Sequence, residues 1–313
     1  MYVMSNNSIY RKNSLFKVSI YLLFLLLIVT IVFDYFTSFY NKSIKEEHNS
    51  YSQNEDKNSI KKHLPITKIV DKETKNILVL ADSHNNEKAF VQVSKLIKNY
   101  NISLVVHLGD HSDYGSESEI ANAKNLLDSL QTEYIAIPGD RDLAATGGDD
   151  LFFTFFKRIN SFKVKEYKFL LLNNSPNFTP LTTTYLKSFI NEISSTDFIL
   201  SSQPIYVEKG NIFESKYMGA MNKDYLIQRD LILEKLRNSK VKYVISGDHH
   251  RSSNFYDLKR RDLQYFIVGA TAEDLNSNGL VIKQKSFQTQ RVLLISITND
   301  NDILFNEIEV FEE

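Results

Sequence analysis

Apolar positions along the chain fall into three regimes. In the first, Val18 to Phe33 read VSIYLLFLLLIVTIVF without a single charge, and Leu15, Phe16, Tyr35 and Phe36 lengthen the run. That length spans hydrocarbon once the Lys17 amine snorkels to the interface. A cleaved signal peptide would share the charged start and apolar core, but DYFTSFYNKS offers no small-x-small cleavage site. A buried core helix has no neighbouring apolar segment to pack against, so residues 15–36 are expected to be an uncleaved transmembrane signal anchor. Arg11, Lys12 and Lys17 precede the run and Lys42 and Lys45 follow it. This bias makes residues 1–14 a cytoplasmic tail and places the rest outside, giving a single-pass membrane protein with an extracytoplasmic C-terminal domain. In the second regime, residues 37–70 are mostly polar, mixed in charge and without apolar period, as expected of a tether in which His48 and His63 are solvated.

The third regime, residues 71–313, alternates short apolar runs with amphipathic stretches. KNILVLAD (75–82), SLVVHLGD (103–110) and YIAIPGD (134–140) predict strands, with helices between them at 87–100 and 118–130. Further strands are predicted at 162–172, 197–202, 242–247 and 264–268, with a closing pair, RVLLISI and DILFNEIEV. Continuous apolar strands joined by helices imply a largely parallel α/β sheet covered on both faces, with function at the strand C-termini.

Composition narrows the chemistry. At 42% hydrophobic and 24% charged residues, the chain is neither disordered nor a multi-span membrane protein. Lys and Arg total 37 against 38 Asp and Glu, so charge alone gives no reason to expect nucleic acid other than as a substrate. With no cysteine, disulfides, thiol nucleophiles and thiolate-held metals are excluded, and any metal must be held by His and oxygen donors.

Those donors accumulate where the predicted strands end: Asp82-Ser83-His84, Gly109-Asp110, Gly139-Asp140-Arg141-Asp142 and Gly247-Asp248-His249-His250. Asp82 and Asp110 are 28 residues apart and Asp110 and Asp140 are 30 apart. Each interval is about one βα unit of roughly 30 residues, so right-handed crossovers set the three carboxylates side by side. A DxH or a GD alone is a common helix cap or turn; four such blocks in order are not.

With these residues in view, the chain resembles the calcineurin-like metallophosphoesterases over about residues 75–310. DSH (82–84) and GDHSD (109–113) match the family's first two motifs, while PGDRD (138–142), SQP (202–204) and GDHH (247–250) occupy the places of the other three. The resemblance implies a four-layer αββα sandwich. It also implies one or two divalent ions (Mn, Fe, Mg, Ca or Zn) and hydrolysis of phosphate mono- or diesters by a metal-bound hydroxide. The substrate would be a phosphorylated small molecule or polymer. Carried over residue by residue, the first metal takes Asp82, His84, the bridging Asp110 and His250. The second takes Asp110, then Asp140 where the family has Asn, and Ser202 and Asp248 where it has His.

The second position thereby becomes all-oxygen, suited to a hard cation, and four carboxylates nearly neutralise two divalent ions. Arg141 replaces a histidine that the family uses to protonate the leaving group. A guanidinium cannot release a proton but can contact phosphate. These replacements keep open an alternative, a degenerate member with one metal or none that serves as a non-catalytic surface binding module. His249, Ser202 and His111 are candidates for substrate contact or outer support of the metals. His107 is expected to be a satisfied core histidine, and Asp113 to order its loop. The Phe-rich run 151–159 is expected either to cap the site or to pack on the sheet.

Overall fold

The computed structural model describes residues 74–175, 180–210, 217–272 and 289–311, so the expected anchor (15–36) and the whole tether (37–70) lie outside the described residues. Among the described residues no helix is long and apolar enough to cross a membrane.

Two mixed sheets form the centre. The first runs β11 (Ile303–Glu309), β10 (Arg291–Ile297), β1 (Lys75–Leu80), β2 (Ile102–His107) and β3 (Tyr134–Ala136). The second runs β4 (Ser161–Val164), β5 (Tyr167–Leu172), β6 (Phe198–Ser201), β7 (Tyr243–Ser246), β9 (Gln264–Ile267) and β8 (Ser253–Tyr256). Strands β1, β2 and β3 are mutually parallel, as are β5, β6, β7 and β9, while antiparallel strands flank them. Side chains alternate along each strand. Ile77, Val79 and Ala81 of the β1 segment join Phe169, Leu171, Phe198 and Ile245 in a core between the sheets. Leu78 and Leu80 point the other way, onto α1 (Glu87–Asn99) and α2 (Glu117–Ser129). Leu170, Leu172 and Val244 pack outward on α4 (Thr183–Ile193) and α5 (Lys223–Arg237). The layers are therefore helices, sheet, sheet, helices.

Local chemistry fixes the boundaries. Asn86 caps α1 by accepting from Ala89 N–H, and Ser116 and Glu119 close a capping box on α2. The expected single strand at 162–172 is instead a hairpin of β4 and β5, turned at Lys165, whose φ is +53°. The antiparallel edge strand β8 has no counterpart in the apolar pattern. The Phe-rich run forms α3 (Asp150–Phe155) and packs on the first sheet rather than capping the site: Phe152 is fully buried and stacks on Phe156 at 4.4 Å. The strands stop short of their apolar runs because the last residues of each run turn out of the ladder, and there the donors sit.

Candidate metal centre

The first two motifs are joined by main-chain bonds beyond the strand ends. Asp82 N–H donates to the Gly109 carbonyl at 3.0 Å, and Ser83 and His84 N–H both donate to the Asp110 carbonyl, at 2.9 and 3.1 Å. Close backbone packing explains the glycines before the aspartates. A Cβ on Gly139 would lie 2.0 Å from Asp110 Oδ1, and one on Gly109 would lie 2.6 Å from Gly139 Cα.

The turns are strained where chemistry is expected. Asp82, His84, Asn85, Asp110, Asp248 and His250 all have positive φ, between 45° and 76°. Such conformations cost about 1–3 kcal/mol each and persist only where the surroundings over-determine them.

These turns bring six donor residues together. Asp82, His84, Asp110 and His250 offer ligand atoms all within 4.8 Å of one another, and so do Asp110, Asp140 and Asp248. Donors around one cation sit about 2.0–2.2 Å from it, hence up to about 4.4 Å apart. Both groups are therefore close to coordination size, and Asp110 belongs to both.

The groups fit divalent cations on their own chemistry. Both carboxylate oxygens of Asp82 and the Nε2 of His84 are buried without a hydrogen-bond partner. An unpaired buried carboxylate is costly unless a cation completes it. Burial pushes the Asp82 carboxyl above its ordinary range, partly opposed by His250 and His84. Burial pushes Asp110 well above that range, reinforced by the carboxylates of Asp82, Asp140, Asp142 and Asp248. Such a concentration of like charge is what a divalent ion neutralises.

Surrounding residues hold the donors in place. Asp113 Oδ1 lies 3.0 Å from His84 Nδ1, and this contact with the imidazole holds the Asp113 carboxyl below its usual range. A carboxylate this close to Nδ1 is placed to orient the His84 ring, as outer partners of metal-ligating histidines do. Asp142 is fully buried and accepts from His111 N–H, His111 Nδ1, Ser112 N–H, Ser112 Oγ and Gly139 N–H at 2.8–3.2 Å. Burial raises its pKa, but the His111 imidazole and these donors outweigh that and hold it low.

The remaining candidates are placed as follows. Arg141 is exposed, and its backbone N–H donates to Asp110 Oδ1 at 3.1 Å. Ser202 is buried, and its hydroxyl donates to Asn174 Oδ1 at 2.9 Å. Asn174 also accepts from Gln203 N–H and donates to the Gln203 carbonyl. His111 is buried beside Phe152 and Phe156, bonded to Asp142. His249 is buried next to the half-buried Asp248 and His250. His107 is a satisfied core histidine, bonded through both ring nitrogens.

The sequence reading missed the reach of Asp113 to His84, the brace at Asp142 and the partner of Ser202. Asn174 had one available signal, a polar pair directly after the apolar run of β5 at the functional edge. The bonds of Asp142 and Asp113 had none, since both reach across loops.

The family model for the calcineurin-like phosphoesterases matches residues 75–252. The chain belongs to that family, and its clustered Asp and His residues form two groups that could each hold a divalent ion. No curated protein matches the chain by sequence. Among solved structures, purple acid phosphatase PPD1 from yellow lupin (Lupinus luteus) is similar with a TM-score of 0.55 at 11% identity, over 76% of this chain and 52% of that one. The chain thus spans about half the length of the lupin protein. A dimetal phosphatase from Danio rerio is similar with a TM-score of 0.53 at 12% identity, covering 76% and 97% of the two chains. GAP50, described as the anchor in the inner membrane complex of Plasmodium, has a TM-score of 0.51 at 16% identity, covering 76% and 85%. At these identities the likeness is one of fold.

Proposed function

We propose that this protein hydrolyses phosphate mono- or diesters at the centre formed by Asp82, His84, Asp110, Asp140, Asp248 and His250. It would act while held to a membrane by residues 15–36, with its C-terminal domain outside the cytoplasm. The observation that carries the catalytic reading is the convergence of two donor groups that share Asp110. Divalent ions bound there would acidify water for attack on phosphorus and offset charge on the phosphoryl oxygens.

The chain's own residues do the rest. Asp110, pinned through Oδ1 by Arg141 N–H, presents its carboxylate between the two groups. Two imidazoles and two carboxylates make the first group a mixed nitrogen and oxygen site; three carboxylates make the second a hard-cation site. The exposed Arg141 guanidinium is suited to bind phosphoryl oxygens in a bidentate manner. It cannot protonate a leaving group, so departure depends on how acidic that group already is. Aryl esters should therefore react faster than alkyl esters.

The anchor reading rests on the uncharged run at 18–33. The described chain enters β1 at Lys75, and Asp82 lies just past its other end. Six residues of strand at about 3.3 Å each set the centre roughly 20 Å from the start of β1. The test is turnover of 4-nitrophenyl phosphate and bis(4-nitrophenyl) phosphate with Mn²⁺, Mg²⁺, Ca²⁺, Zn²⁺ or Fe²⁺, beside Asp110→Ala. Turnover above that control supports the reading, and none with any metal refutes it. For the anchor, alkaline extraction of membranes should leave the full chain in the pellet and release a chain lacking residues 1–36.

A further inference from the structure

We infer that His107 is a positioning residue that locks the Asp82–His84 turn to the Gly109–Asp110 turn, and thereby sets the affinity of the centre for its cation. The inference rests on the reading of Asp82, His84 and Asp110 as metal ligands. His107 ends β2 and is fully buried. Gly109 N–H donates to its Nδ1 at 3.3 Å, so that nitrogen carries no proton. The proton sits on Nε2, which donates to Ser83 Oγ at 2.8 Å. One neutral imidazole thus spends both nitrogens on the two motif turns: Ser83 lies between Asp82 and His84, and Gly109 directly precedes Asp110.

The bond matters because of what it holds. Asp82, His84 and Asp110 all occupy the left-handed region, at φ of 52°, 45° and 55°, which is uncommon outside glycine although Asp and His enter it more readily than most. The main-chain bonds between the two turns fix their separation, and the imidazole adds a side-chain link through Ser83. The same ring stacks on His111 at 3.8 Å between centroids, and His111 bonds Asp142, which takes the Gly139 N–H. The brace therefore extends from the first motif through the second to the third. Burial, together with His111 and His84, keeps the His107 pKa well below its ordinary value, in keeping with the neutral form that the geometry requires.

The experiment is Mn²⁺ binding to the full chain by calorimetry, for wild type, Ser83→Ala, His107→Gln, His107→Leu and the Ser83→Ala, His107→Leu double variant. Ser83→Ala and His107→Leu should each weaken binding about tenfold, the low end for losing an outer support of a metal site. The double variant should bind no more weakly than His107→Leu, and His107→Gln, which keeps a donor, should recover most of the loss. Ser83→Ala removes one oxygen and keeps the fold, so it carries the test if His107→Leu does not fold. A histidine that merely fills space would lower thermal stability without moving Mn²⁺ affinity in Ser83→Ala. Ser83→Ala binding Mn²⁺ as tightly as wild type, or additive losses in the double variant, would overturn the inference. Absence of Mn²⁺ binding by the wild type would instead refute the metal-centre reading beneath it.

Discussion

The two halves of the centre share Asp110 and differ in almost everything else. The first half sets two imidazoles beside Asp82, buried, with orphaned oxygens and a bracing carboxylate behind His84. The second half is built from carboxylates alone, with Asp140 and Asp248 half-buried as His84 and His250 are. Where the family would supply a histidine, Ser202 turns instead to Asn174. A site with nitrogen donors and outer supports binds transition metals tightly, whereas an all-carboxylate site suits a hard ion and keeps it loosely. The difference teaches that one fold edge can hold a finished site and a retuned one that share a single ligand.

Removing the shared ligand is the most severe way to break this comparison. Asp110→Ala should abolish both halves and lower turnover on the order of 10³-fold, as loss of a central electrostatic contact does. Steady-state rates at saturating Mn²⁺ measure it. Replacing Asp140→Asn, Ser202→His and Asp248→His together should make the halves more alike. We expect roughly a tenfold gain in phosphatase activity and a shift of preference toward Zn²⁺, read from metal-dependence curves.

How much of this was legible in the sequence depends on the range of the interaction. The donors could be read because each is local to a strand end, and near-equal βα spacing places Asp82, Asp110 and Asp140 on one edge. The layers could be read because alternation along β1 and β5 is a local pattern. The hairpin at Lys165 escaped because a two-residue turn without Gly or Asn leaves one unbroken strand-like run. The bond from Ser202 to Asn174 and four of the five bonds on Asp142 escaped because they join loops 28 to 31 residues apart through side chains. No periodicity records such contacts.

Smaller effects sharpen the contrast. Arg141→Ala should lower kcat/KM about tenfold, mainly through KM, as expected for one charge-assisted hydrogen bond. Arg141→His should instead flatten the dependence of rate on leaving-group pKa, measured with a series of substituted phenyl phosphates. The smallest effect concerns the chelator-stripped protein. Because Asp110 and Asp82 titrate above the carboxylate value of 3.8 when folded, the folded state binds more protons than the unfolded one. Stability should therefore fall as pH rises above about 3.8 and through their raised pKa values. Adding Mn²⁺ should remove the trend, as denaturant midpoints at pH 4.5, 6.0 and 7.5 would reveal.

The most direct measurement is a count of metal ions bound per chain, by calorimetric titration with Mn²⁺ and elemental analysis, on wild type and Asp110→Ala. Shared coordination predicts two ions on the wild type, one tight and one weaker, with both lost from the variant. A wild type that takes up no stoichiometric metal, or a variant that keeps what the wild type binds, would contradict it.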